Sequence, residues 1–183
     1  MENKLKPNLV ICNPQNDFIE GEKCDTNTID KLDKIITLIN DNQFTDIIIP
    51  IKSYPVDSKV FKHNTRYCIN YTDGCAINKK LLNNITTYYT IVSGEINNYI
   101  ENSSFAYSCY IDNKFILRSS TDYFACATDK FVICGFDDDM VIESIKTLLI
   151  SLPPDNIKVY LDGTNNINNS IKAFCKDNNI KII

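Results

Sequence analysis

Short apolar runs alternate along this chain with segments in which apolar residues recur every three or four positions. The first run, Asn8 to Cys12 (NLVIC), stops at Asn13-Pro14. Proline cannot donate to a sheet ladder, so a buried strand ending at Cys12 is expected. From Thr28 to Ile39 the apolar positions Ile29, Leu32, Ile35, Ile36 and Ile39 fall at helical spacing, with Thr28 placed as an N-cap. Asp46 to Ile51 (DIIIPI) is a second short β-branched run, of the kind found in strands covered on both faces. These three segments predict a βαβ unit.

The alternation continues to the end of the sequence. Tyr88 to Val92, Phe131 to Cys134, Lys158 to Leu161 and Ile180 to Ile183 read as strands. Met140 to Leu149 and Ile167 to Lys176 carry helical periodicity, and Pro153-Pro154 punctuates the end of the first. The pattern predicts a three-layer α/β/α sandwich with a mostly parallel, roughly six-stranded sheet and right-handed crossovers. Ligands of such sheets bind at the carboxyl ends of the strands where strand order reverses, so the loops after Cys12, Val92 and Gly135 are the expected site. Ala106 to Asp129 has no clear period, and a hairpin or an extended excursion both fit it.

Composition narrows the class. The 183 residues are read as one domain, 1–183, long enough to bury about 70 per cent of the unfolded chain's surface. A net charge of -4 and a pI near 5.0 speak against nucleic acid as a partner. No apolar run approaches the roughly 20 residues that cross a bilayer, and MENKLKPNLV resembles neither a signal h-region nor a presequence, so membrane insertion is not expected. The expected compartment is the cytoplasm. Eight cysteines without a C-x-x-C pair, and a single histidine, His63, argue against zinc; no metal and no cofactor are expected. Cys12, Cys134 and Cys175 lie in apolar runs and read as small buried hydrophobes in a reducing environment. Heavy use of Asn, Ile, Lys and Tyr suggests A+T-rich codons, so the Asn-rich stretch Thr164 to Asn169 reads as a loop and helix start.

Several segments carry a resemblance. LVICNPQNDFIEG resembles the opening motif of the isochorismatase-like hydrolases, the nicotinamidase and isochorismatase type, with Gln15, Asn16, Asp17, Phe18 and Gly21 in place. IVSGEINNYIENSSF resembles the family's Lys-Gly segment leading to Ser-x-Phe, through Gly94, Ser103 and Phe105. FVICG resembles the strand before the nucleophile helix, and KVYLDGTN the last crossover, so the resemblance spans essentially the whole chain.

The family's chemistry uses an Asp as base, a Lys that holds it ionised and, in the amidase branch, a Cys nucleophile. The resemblance places these roles on Asn13, Ser93 and Met140. An amide cannot take a proton from a thiol, a hydroxyl supplies no positive charge, and a thioether cannot become a thiolate. The family's metal site would fall on Lys52 to Ser58, which holds no ligand set. The pocket itself is expected to involve Asp17, Phe18, Phe105, Gly135 and Asp138. Asp137, Asp138 and Asp139 open a predicted helix and read first as caps. Asp17 as a relocated base and Cys134 as a relocated nucleophile are minor alternatives; His63 reads as a loop residue and Lys79-Lys80 as a solvated helix face.

The expectation is therefore a catalytically inactive isochorismatase-like pseudoenzyme, a binding or scaffolding module in a homo-oligomer or among the protein subunits of a larger assembly. Two alternatives stand beside it. One is an active hydrolase of a small amide or vinyl ether with a rearranged site, and the other a small-molecule sensor using the old pocket.

Overall fold

The computed structural model describes residues 6–96, 99–101, 109–111, 114–116 and 129–183; at Ile91 and across 93–128 the description is of backbone only. Nine strands form one sheet: β1 (Asn8–Cys12), β2 (Ile47–Ser53), β3 (Tyr89–Ile96), β4 (Tyr99–Glu101), β5 (Cys109–Ile111), β6 (Lys114–Ile116), β7 (Phe131–Gly135), β8 (Ile157–Thr164) and β9 (Lys181–Ile182). Their order is β6-β5-β3-β2-β1-β7-β8-β9, with β4 also on β3. The six strands from β3 to β9 in that order, excluding the additions on β3, run parallel. β4 and β5 pair antiparallel with β3, and β5 with β6 forms the hairpin left open by the sequence. Most of Ala106 to Asp129 otherwise lies outside the described residues.

The helices are α1 (Asn16–Ile19), α2 (Thr28–Asp41), α3 (Lys79–Leu82), α4 (Asp138–Leu148) and α5 (Ser170–Asp177). The two-residue period of the strands divides the core into two layers. Leu9 and Ile11 of β1 join Leu32 and Ile35 of α2 on one face. Val10 and Cys12 join Met140, Ile145, Ile171 and Cys175 of α4 and α5 on the other. This is the expected three-layer sandwich.

Two helix starts differ from the sequence reading. Asn27, in the left-handed region at φ 63°, precedes α2, while Thr28 is the first helical residue and its hydroxyl donates to the Ile19 carbonyl at 2.7 Å. The last helix starts at Ser170 because Asn166, Asn168 and Asn169 all take positive φ, which asparagine tolerates and a helix does not. No helix among the described residues is long and apolar enough to cross a membrane.

Strand order reverses about β1, with β2 and β3 on one side and β7, β8 and β9 on the other. That switch point, at the carboxyl ends of β1 and β7, is where a ligand crevice belongs. Two backbone features shape it. Gly135 has φ +143°, and a Cβ there would lie 2.2 Å from the Cys12 carbonyl oxygen, so only glycine lets β7 close against β1. Pro50 lacks a donor toward β1, and contact resumes where the Asn13 amide donates to the Pro50 carbonyl at 2.8 Å.

Candidate functional site

Asn13 leaves β1 at φ 51° and is fully buried. Its Nδ2 donates to Asp137 Oδ2 at 2.9 Å. Lys52, near the end of β2, reaches the same oxygen, with Nζ to Oδ2 at 2.5 Å and side-chain exposures of only 8% and 10% for the two residues. The other oxygen of Asp137 accepts the backbone N–H groups of Asp139 at 3.1 Å and Met140 at 3.3 Å, capping α4. A carboxylate offers about four lone-pair directions, and in Asp137 all are taken. Burial acts to lower the Lys52 pKa, but the charge and hydrogen bond of Asp137, with smaller help from Tyr67 and Asp139, raise it above the ordinary lysine value. The ammonium form is the stable one.

Gln15 fixes this lysine in space. Its Nε2 donates to the Lys52 and Cys75 carbonyls, each at 2.7 Å, and its Oε1 accepts the Lys52 amide at 2.8 Å. Asn16 Nδ2 donates to the Asp73 carbonyl at 2.9 Å, and Asp17 Oδ2 accepts the Cys68 amide at 2.6 Å. The Asp17 carboxylate fits against Gly21 and Gly74, where a Cβ would lie 2.6 and 2.3 Å from its oxygens. The Gln-Asn-Asp motif thus fastens the segment from Lys52 to Asn78 onto the end of β1.

Above the ion pair lies an open cleft of about 400 Å³, lined by Phe18, Lys23, Lys52, Tyr67, Phe136, Asn165 and the Asp137 to Asp139 run. Ile167 and Ser170 complete its described wall. Asp138 Oδ1 accepts the Asn166 amide at 2.9 Å, and Oδ2 accepts the Ile167 amide at 2.5 Å and the Ser170 hydroxyl at 2.7 Å. It holds the loop before α5; burial pushes its carboxyl above the usual range despite those bonds.

The positions singled out in the sequence separate. Phe18 and Asp138 line the cleft, and Asn13 lies beneath it against Asp137. Met140 is buried in the core layer with Val10 and Cys12, pointing away from the cleft. Ser93 is the register partner of Lys52 on the adjacent strand. The side chain of Ser93 lies outside the described residues, as do Ser103 and Phe105. Asp17 lines a separate groove beside α1. Gly135 serves strand approach. Cys134 is buried on the α2 face of the sheet, where burial pushes its thiol well up. His63 is exposed, and Lys80, also exposed, pairs with Asp33 at 2.5 Å.

Lys52, Tyr67 and Lys23 were not singled out as pocket residues. Lys52 carried a usable signal, a lone charge at the end of a buried apolar strand. Tyr67 and Lys23 lie in irregular segments that give no period to read. Among the described residues, no group of three or more His, Cys, Asp or Glu side chains is arranged to hold a metal ion.

The parallel order about β1, with the cleft at its carboxyl end, is the arrangement of the isochorismatase-like α/β fold. Three solved structures show it: the yeast nicotinamidase, at TM-score 0.75 and 17% identity over 97% of this chain and 99% of that one; the pyrazinamidase of Pyrococcus horikoshii in complex with zinc, at 0.75 and 15% over 97% and 98%; and an isochorismatase-like hydrolase from Alkaliphilus metalliredigens, at 0.69 and 10% over 97% and 93%. No family model matches the sequence, and no curated protein matches it.

Proposed function

We propose that this chain is an isochorismatase-like pseudoenzyme, a cytoplasmic binding or scaffolding module that works within a homo-oligomer or larger assembly. The observation that carries the reading is the full engagement of Asp137. A general base must have a lone pair within reach of the proton it takes. Here Lys52, Asn13 and two helix amides occupy them all. Asn13 is neutral, Met140 is in the core, and no described residue lining the cleft is a cysteine. The test is turnover of nicotinamide, pyrazinamide and isochorismate by the purified protein, and the expected result is a rate equal to the protein-free control.

One observation favours a rearranged active hydrolase instead. Lys52 and Asp137 bring opposite charges to the mouth of the sheet, each beside a position where the family resemblance places such a charge: Lys52 pairs with Ser93, and Asp137 touches Asn13. In that reading a substrate displaces Asn13 from Asp137, and the freed carboxylate acts on a small amide or vinyl ether. Turnover that is present in the native chain and lost in Asp137→Asn would select it.

A further inference from the structure

Tyr67 closes one side of the cleft. Phe18, Tyr54 and Phe61 meet its ring in edge-to-face contacts at centroid distances of 5.8, 5.4 and 6.1 Å, which fixes its orientation. The face of this ring already holds a cation: Lys23 Nζ stands 4.6 Å from the centroid. Lys23 has no carboxylate within ion-pair distance among the described residues. Among the described residues its ammonium is placed by the ring, an attraction between a cation and the negative face of the π-system.

The charges around the cleft favour the same sign of ligand. Two lysines, Lys23 and Lys52, face three aspartates, Asp137 to Asp139. Lys52 is spent on Asp137, and Asp138 is spent on the loop before α5. Asp139 is exposed and carries no cationic partner among the described residues. An anion entering the cleft would meet the exposed Asp139 carboxylate, whereas a cation finds a partner in it. Phe18 and Phe136 supply apolar wall for the body of such a ligand.

We propose that the cleft binds a small organic cation with an apolar body, its ammonium taking the Tyr67 face in place of Lys23 and turned toward Asp139. The proposal rests on the reading that the cleft binds without turnover, and it adds the chemical class of the ligand.

Calorimetric titration of the full chain with benzylamine, which is protonated at neutral pH, and with the near-isosteres benzyl alcohol and benzoate tests it. Benzylamine is expected to bind saturably, benzyl alcohol more weakly and benzoate most weakly. Asp139→Asn should weaken benzylamine by about fivefold, the upper end for an exposed charge pair. Lys23→Met, which removes the internal competitor and keeps the stem, should tighten it. Benzoate binding as tightly as benzylamine, an Asp139→Asn variant that binds benzylamine unchanged, or no saturable binding of the amine would overturn the proposal. Amide turnover measured on the same samples keeps the two readings apart: turnover alongside amine binding removes only the inactive reading, and absence of both removes only the cation.

Discussion

Lys52 Nζ lies 2.5 Å from Asp137 Oδ2, joining the end of β2 to the cap of α4 across the end of β1. Asn13 donates to the same oxygen, so one carboxylate ties together three segments that are adjacent only in the fold. With Asp139 and Met140 amides on its other oxygen, this carboxylate has its lone pairs engaged and organises the floor of the cleft.

Removing the cation should be costly. Lys52→Met leaves a buried carboxylate without its counter-charge, a change worth about 3–5 kcal/mol when an ion pair is broken from one side. Urea denaturation should show the unfolding free energy falling by that amount, with a lower midpoint. The double change Lys52→Met with Asp137→Asn should cost less than the sum of the two single changes, since each removes the other's penalty.

The same pair sets an alkaline limit. The Lys52 pKa is raised in the folded protein, so folding favours its proton, and the stabilisation is complete below the unfolded lysine value of about 10.4. It is lost as pH climbs through the higher folded value. Native protein should therefore lose stability above about pH 10.4, and Lys52→Met should lack that part of the decline. Denaturation curves at several alkaline pH values would show whether the two slopes differ.

Asn13→Asp restores the residue type expected of a base and should nonetheless harm the protein. The donor to Asp137 Oδ2 becomes a second carboxylate at a 2.9 Å contact. Two carboxylates at that separation resist joint ionisation, which raises the pKa of the pair. The variant should be less stable than the native chain at neutral pH, by about 2 kcal/mol or more. Because the raised folded pKa makes the loss grow as pH rises through the carboxylate range, the deficit should shrink toward pH 4, about the unfolded Asp value. A deficit that is constant with pH would contradict the contact.

The sheet was legible because its strands are short β-branched runs ended by Pro, Gly or Asn, as at Asn13-Pro14 and Gly135. Helix starts were less so, since the left-handed asparagines before α5 look like ordinary polar residues in one dimension. The site divided in the same way. Asn13 was singled out by local motif and Asp138 by its place at a helix start, while the side chain of Ser93, also read from a motif, lies outside the described residues. The contact between Lys52 and Asp137 spans 85 positions and has no periodic signature, so only the crossing of β2 and α4 about β1 reveals it. Met140, placed by motif at the nucleophile, belongs to the core because its place in α4 faces the sheet.

Gly135→Ala should prevent the native closure of β7 on β1. The added Cβ would meet the Cys12 carbonyl oxygen at 2.2 Å and sit on a backbone with φ +143°. Backbone strain of this type costs about 1–3 kcal/mol before the steric clash is added. A thermal melt should show a large fall in midpoint or no cooperative transition, whereas a native midpoint would contradict the packing.

Steady-state turnover of nicotinamide, pyrazinamide and isochorismate at high protein concentration, for the native chain and for Asp137→Asn side by side, distinguishes a held Asp137 from a reactive one. If Asp137 stays held by Lys52 and Asn13, the expected result is no rate above the protein-free control in either sample. A native rate that disappears in Asp137→Asn would contradict it, and would make the carboxylate held by Lys52 and Asn13 the base of a working hydrolase.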